Sequence, residues 1–281
     1  MEKYRVALYA IIATAIWGMS FPITKEGVEN ISPVLFAFLR YLIATLFFIL
    51  LCLSYGNIGK IDIKKFSFLG LISVTLPTVL QNIGIRYTDA YITGFLQSTG
   101  PIYTVILAYI FLNEKINVYK IAGIVIAFIG VYFMINPQEG NFFGNMLILS
   151  SAICYSIGGI IAKDLLNRGH NPLQIITFSS IFGTAFLIPL TTAEIFAKES
   201  FINYESMKYI LFLAFFTTFL AYQLWYKAME KMEVSKLSFF TYLIPLFSLL
   251  SAHMIFREEI EITTLIAGFI AVIGVAIAQK A

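Results

Sequence analysis

The chain has 281 residues, of which 59% are hydrophobic and 12% charged, with a formal net charge of +3 and a mean hydropathy of +0.84. A soluble domain is about a quarter charged, so this apolar surplus excludes an ordinary water-soluble globule, and the small net charge excludes a nucleic-acid surface. A lipid bilayer suits such a composition, and only helices and closed barrels span one with every backbone polar group satisfied; the apolar runs are continuous and about twice the length of a barrel strand, which selects helices.

A membrane-crossing helix needs about 20 mostly apolar residues. The sequence predicts ten, at 6–24, 34–54, 66–86, 91–112, 118–136, 144–163, 173–193, 207–228, 235–256 and 263–279. The first follows Lys3 and Arg5 and contains Ala13-Thr14-Ala15, the form of a signal-peptide cleavage site, but its apolar run continues through Ile16, Trp17 and Phe21. It is expected to remain as an uncleaved helix. Asn57, Gly59 and Asp62 mark the loop before helix 3, and Asn136-Pro137 and Gly140-Asn141 mark the centre of the chain. Cys52 and Cys154 sit in apolar runs, away from any C-x-x-C pair or histidine, and read as small core residues.

Charge sets the expected orientation. With ten spans, Lys3, Arg5, Lys60, Lys64, Lys65, Lys115, Lys120, Lys163, Arg168, Lys227, Lys231, Lys236 and Lys280 share one side. Lys25, Arg86, Lys198, Lys208 and Arg257 take the other. The positive-inside rule then puts both termini in the cytoplasm.

The chain also repeats itself. Phe111-Leu112-Asn113-Glu114 corresponds to Ile255-Phe256-Arg257-Glu258, Pro101 to Pro245, and Ile121-Ala122-Gly123 to Ile266-Ala267-Gly268. Near the start of each half, Ala15-Ile16-Trp17 corresponds to Ala152-Ile153-Cys154, and Ser32-Pro33 to Asn171-Pro172. Residues 1–136 and 137–281 are thus expected to form two repeats of five helices. An odd count inserts the second in the opposite sense, a frequent transporter plan with the site near the midplane.

Polar residues inside the spans are candidates for that site. Gly94, Gln97, Pro101, Thr104 and Ala108 form one stripe on helix 4, and Ser238, Thr241, Pro245, Ser248 and Ala252 form the same stripe on helix 9. Such a stripe suits either close helix packing or the wall of a wet cavity. Helix 3 carries Thr75, Thr78 and Asn82 on one face with Gln81 beside it. Helix 8 carries Thr218, Tyr222 and Trp225 with Gln223 beside them, and Trp17 and Ser20 on helix 1 face the same question as Tyr155 on helix 6. Amides in hydrocarbon need partners, so they are expected to point inward, toward each other or toward a ligand. Pro101 and Pro245 remove helical hydrogen bonds and favour kinks. Arg40 is the one charge deep in a span, placed either to snorkel to the headgroups or to act as a charge site.

The order of Ala15-Ile16-Trp17-Gly18, Ser32-Pro33, Arg40, Pro101, Phe111-Leu112-Asn113-Glu114, Gly123, Leu224-Trp225, Pro245, Phe256-Arg257-Glu258 and Gly268 resembles the EamA-type members of the drug/metabolite transporter superfamily over essentially the whole chain. The resemblance implies a basket-like bundle with a cavity lined by helices 1, 3, 4, 6, 8 and 9, and with helices 5 and 10 bracing the periphery. It departs from the family pattern at Cys154-Tyr155, Asn113 and Arg257.

The leading expectation is a secondary transporter or facilitator in a prokaryotic cell membrane, exporting a small neutral or zwitterionic metabolite such as an amino acid by alternating access. Trp17, Ser20, Gln81, Asn82, Gln97, Tyr155, Tyr222, Trp225, Thr241 and Tyr242 are its candidate substrate residues. A non-transporting sensor or scaffold is the alternative. A membrane-embedded enzyme fits less well, because the two histidines, His170 and His253, are isolated and no H-E-x-x-H, G-x-S-x-G or phosphate loop occurs. No cofactor, metal or nucleic acid is expected; a small-molecule substrate and the bilayer are.

Overall fold

The computed structural model describes residues 2–55, 59, 61–88, 90–135, 141–197, 204–256 and 262–281, and these form helices joined by short turns. α1 spans Glu2–Asn30 and α2 Pro33–Tyr55. α3 runs without a break through Ile63–Gly70, Leu71–Thr75 and Leu76–Tyr87. α4 has two segments, Ala90–Gln97 and Gly100–Leu112. α5 is Val118–Ile135, α6 Phe142–Asn167 and α7 Pro172–Ala197. α8 joins Tyr204–Phe212, Leu213–Leu220 and Ala221–Lys231, and α9 joins Val234–Ser238, Phe239–Leu243 and Ile244–Phe256. α10 is Ile262–Ala278. Among the described residues, eight of these helices are long and apolar enough to cross a membrane, while α5 and α10 give shorter apolar stretches.

Several helices outrun their predicted ends, and the partners explain why. α1 continues past Thr24 because Lys25 is not left alone: its Nζ donates to the carbonyls of Ile85 and Thr88, both at 2.9 Å, beside the end of α3. α6 likewise carries Lys163, whose Nζ donates to Met229 and Met232 carbonyls at 2.7 and 2.9 Å at the end of α8. A lysine there meets both the orphan carbonyls and the negative end of the helix dipole. Helix starts receive carboxylates. Glu194 accepts from the backbone N–H groups of Val34 and Leu35 at 3.0 Å each, and Glu114 accepts from Val234 at 2.9 Å, Ser235 at 3.1 Å and the Ser235 hydroxyl.

Four helices depart from regular α geometry. α3 and α8 widen to i→i+5 pairing over Leu71–Thr75 and Leu213–Leu220, where the N–H groups of Leu76 and Ala221 reach the carbonyls of Leu71 and Phe216. α4 breaks at Ser98-Thr99, and α9 tightens to a 3₁₀ turn over Phe239–Leu243. A proline ring crowds the carbonyl four residues earlier and offers it no N–H. For Pro101 and Pro245 those residues are Gln97 and Thr241.

Glycines bring the helices together where a side chain would not fit. α5 and α10 pack antiparallel: a Cβ on Gly130 would lie 2.4 Å from the Ala271 nitrogen, and one on Gly274 would lie 2.3 Å from the Ala127 nitrogen. Gly70 of α3 meets Gly183 of α7 in the same way. Such contact replaces the hydrophobic effect as the glue between helices in lipid. The outward faces are apolar, with Leu46, Leu50, Leu53, Phe133 and Phe269 all more than half exposed, as contact with acyl chains requires.

Candidate functional site

Among the described residues, seven helices line a cavity of about 170 Å³. α1 brings Trp17 and Ser20; α3 brings Ser73 and Gln81; α4 brings Gln97 and Thr104; α6 brings Tyr155 and Ser156; α8 brings Thr217, Thr218, Tyr222 and Trp225; α9 brings Ser238 and Thr241. α2 contributes Arg40, which adds a seventh helix to the six implied by the family resemblance. Among the described residues, no Asp or Glu lines the cavity.

One wall is aromatic. The Trp17 ring lies 5.2 Å from Tyr222 and 5.0 Å from Trp225, centroid to centroid, in tilted and edge-on arrangements that suit the ring quadrupoles. Trp17 Nε1 donates to the Thr217 carbonyl at 3.1 Å, inside the widened stretch of α8. Wide turns of this kind are frequent at functional sites; here the widening sits where α8 meets α1.

Gln97 and Gln81, also on the cavity wall, belong to a hydrogen-bonded amide group. Gln97 Nε2 donates to Gln81 Oε1 at 3.3 Å and to Ser151 Oγ at 3.0 Å, and the Ser151 hydroxyl donates to the Pro77 carbonyl at 2.9 Å. These bonds tie α4, α3 and α6 together. Both amide hydrogens of Gln97 are committed, so Oε1 is the group it retains for a ligand, as an acceptor. Ser20 and Thr241 donate to the Trp17 and Ser238 carbonyls, each at 2.7 Å, and keep acceptor lone pairs.

Arg40 is only 4% exposed and sits on the cavity wall. Its guanidinium lies 5.2 Å from the Tyr41 ring centroid. No protein group accepts from its Nε, and no carboxylate pairs with it among the described residues. It is a cavity group here, not a snorkelling one.

Of the ten candidate substrate residues, eight line the cavity: Trp17, Ser20, Gln81, Gln97, Tyr155, Tyr222, Trp225 and Thr241. Two do not. Asn82 is fully buried and donates to the Pro33 carbonyl at 3.1 Å, bracing α3 against the start of α2. Tyr242 is fully buried and stacks on Phe239, 6.5 Å between centroids. Thr75, on the Asn82 face, donates to the Gly183 carbonyl at 2.9 Å, so that face packs on α2 and α7 while Gln81 beside it meets the cavity. Thr217, Ser73, Ser156 and Met229 line the cavity without having been singled out in the sequence; the small size of Ser73 and Ser156 was the only available signal. His170 packs edge-on against Phe66 at 5.4 Å, and the side chain of His253 lies outside the described residues, as do Arg257 and Glu258.

Long apolar helices around a cavity of mixed aromatic and polar lining define the class as a polytopic membrane protein. The profile of the EamA-like transporter family matches residues 5–136 and again 142–278, and the chain belongs to that family. It is 30% identical to an uncharacterized transporter of Archaeoglobus fulgidus over 100% of this chain and 99% of the other. It is 24% identical to a probable amino-acid metabolite efflux pump of Escherichia coli strain K12, covering 89% of this chain and 87% of that one. One solved crystal structure superposes with a TM-score of 0.82 at 14% identity, over 98% of this chain and 96% of its own, a likeness of fold. The protein is therefore an integral membrane protein of a transporter family.

Proposed function

We propose that this chain is a secondary transporter or facilitator that exports a small neutral or zwitterionic metabolite, with amino acids the first class to test, by alternating access. The observation that carries the reading is the cavity. It joins an aromatic wall to a few fixed polar groups, the composition of sites for ligands with an apolar body and sparse polar atoms. The absence of Asp and Glu from its lining argues against a polycationic solute. The Escherichia coli relative adds weight to the amino-acid class.

Alternating access needs two similar gates, and we read the two halves as inverted five-helix repeats, residues 1–136 and 137–281, with both termini in the cytoplasm. Three observations support this. The family profile matches twice in tandem. α5 and α10, equivalent in the two halves, run antiparallel, and exchanging the halves maps the Gly130–Ala271 contact onto Gly274–Ala127. Lys25 and Lys163 make the same bonds at the ends of α3 and α8. In this reading each lysine latches one gate, and transport releases one latch at a time.

Liposomes holding the purified protein, preloaded with an unlabelled solute, should accumulate the same solute in radiolabelled form by counterflow. A panel of neutral amino acids and nucleosides should contain at least one such solute, and citrate should not be one. Counterflow of citrate alone, or of no panel member, contradicts the proposal.

A further inference from the structure

Among the described residues, Arg40 is the one group on the cavity wall that carries a full charge, and none of them compensates that charge with a carboxylate. Buried charges are normally paired, and a charged side chain at membrane depth that faces a cavity marks a solute path. The Tyr41 ring engages the guanidinium at 5.2 Å as a cation–π partner, an interaction that leaves the in-plane N–H donors available. Nε is buried and has no protein acceptor. A planar fork of donors matches the two oxygens of a carboxylate. The other walls complete the description: Trp17, Tyr222 and Trp225 offer apolar surface, and Gln97 Oε1 remains an acceptor for an N–H donor.

We propose that Arg40 binds the carboxylate of the carried solute, so that the substrate class is an organic monocarboxylate with an apolar body, zwitterionic amino acids included. This rests on the transport reading above, names a carboxylate as the group recognised, and extends the class from zwitterions to monocarboxylate anions. The one positive charge cancels the one negative charge of a carboxylate, which suits the low-dielectric interior and disfavours polyanions.

The chain has two tryptophans, Trp17 and Trp225, and both line the cavity. Their fluorescence therefore reports on this site alone. Protein reconstituted in nanodiscs is titrated with four matched probes: L-phenylalanine, 3-phenylpropionate, L-phenylalaninamide and phenethylamine. The first two should give a saturable change and the last two none. Arg40→Lys should weaken the carboxylate response about tenfold or more, since the ammonium lacks the fork, and Arg40→Gln should abolish it. Equal responses to the amide or the amine overturn the proposal in the wild-type protein, whatever the variants do. So does an equal response to inorganic phosphate, or the failure of both carboxylates to respond. Counterflow of the same probes separates the two claims. Carboxylates that bind through Arg40 but never accumulate would refute transport and leave the Arg40 site standing. Accumulation of phenethylamine without either carboxylate would keep transport and remove the Arg40 assignment.

Discussion

Gln97 holds three helices in register through one carboxamide, and the isosteric Gln97→Leu removes both cross-helix bonds and the spare acceptor. It also leaves Ser151 and Gln81 short of a partner, a loss of about 1–3 kcal/mol for each buried polar group. Transport should fall at least tenfold, while surface labelling shows normal membrane insertion. Trp225→Ala opens the aromatic wall that Trp17 leans on and should raise the half-saturating solute concentration by a similar factor. Leu46, 54% exposed on the outer face, gives the control: Leu46→Ala should transport normally. Asn82 separates structural from binding residues. Because it braces α3 on the Pro33 carbonyl, Asn82→Leu should lower the melting temperature and leave the apparent affinity of the surviving protein unchanged. The sequence made eight cavity residues legible, because an amide or a polar aromatic inside an apolar run must face something polar. It grouped Asn82 and Tyr242 with them although neither lines the cavity, for a physical reason. Helical period says which residues share a face, but a polar face turned to a neighbouring carbonyl looks the same in sequence as one turned to a cavity.

At the scale of helices, spacing and composition revealed ten apolar segments and the two prolines that interrupt α4 and α9. The widened turns of α3 and α8 were invisible, since Leu71–Thr75 and Leu213–Leu220 contain neither glycine nor proline. Nothing in a local propensity distinguishes i→i+5 from i→i+4 pairing; the packing partners decide. The expected ends of α1 and α6, at residues 24 and 163, stop short of Asn30 and Asn167, because the carbonyls that satisfy Lys25 and Lys163 lie 60 or more residues away and leave no local signal. Glycine contacts yield a paired prediction. Gly274→Val would drive a side chain into the α5 backbone, whose Ala127 nitrogen is already 2.3 Å from the Cβ position. It should destabilise the protein by at least about 1–3 kcal/mol, the range for overpacking, seen as a lower melting temperature in detergent. Gly94→Ala meets nothing nearer than Phe21 at 3.9 Å and should leave the melting temperature unchanged or slightly raised. Lys163→Met removes the latch on the α8 end, and should increase modification of a cysteine placed at the neighbouring Met232.

For the whole molecule, the duplicated sequence and the charge bias are the grounds for proposing inverted repeats, and the bias makes a labelling prediction. In a background with Cys52 and Cys154 replaced, single cysteines at the exposed Lys115 and Lys231 should react with an impermeant maleimide from the cytoplasm. Lys60, Gln138 and Lys198 lie outside the described residues; a cysteine at Lys60 should react from the cytoplasm, and cysteines at Gln138 and Lys198 from outside. Reaction of Lys60 and Lys198 from one side would remove the inverted-repeat reading. The central claim, that one cavity opens in turn to both sides of the membrane, is tested most directly by a single cysteine at the half-buried, cavity-lining Thr241. Its modification is followed in oriented vesicles with the maleimide supplied to one face at a time. Alternating access requires that both faces give modification, and that a solute positive in counterflow slows both. Modification from one face alone, unaffected by that solute, would contradict it.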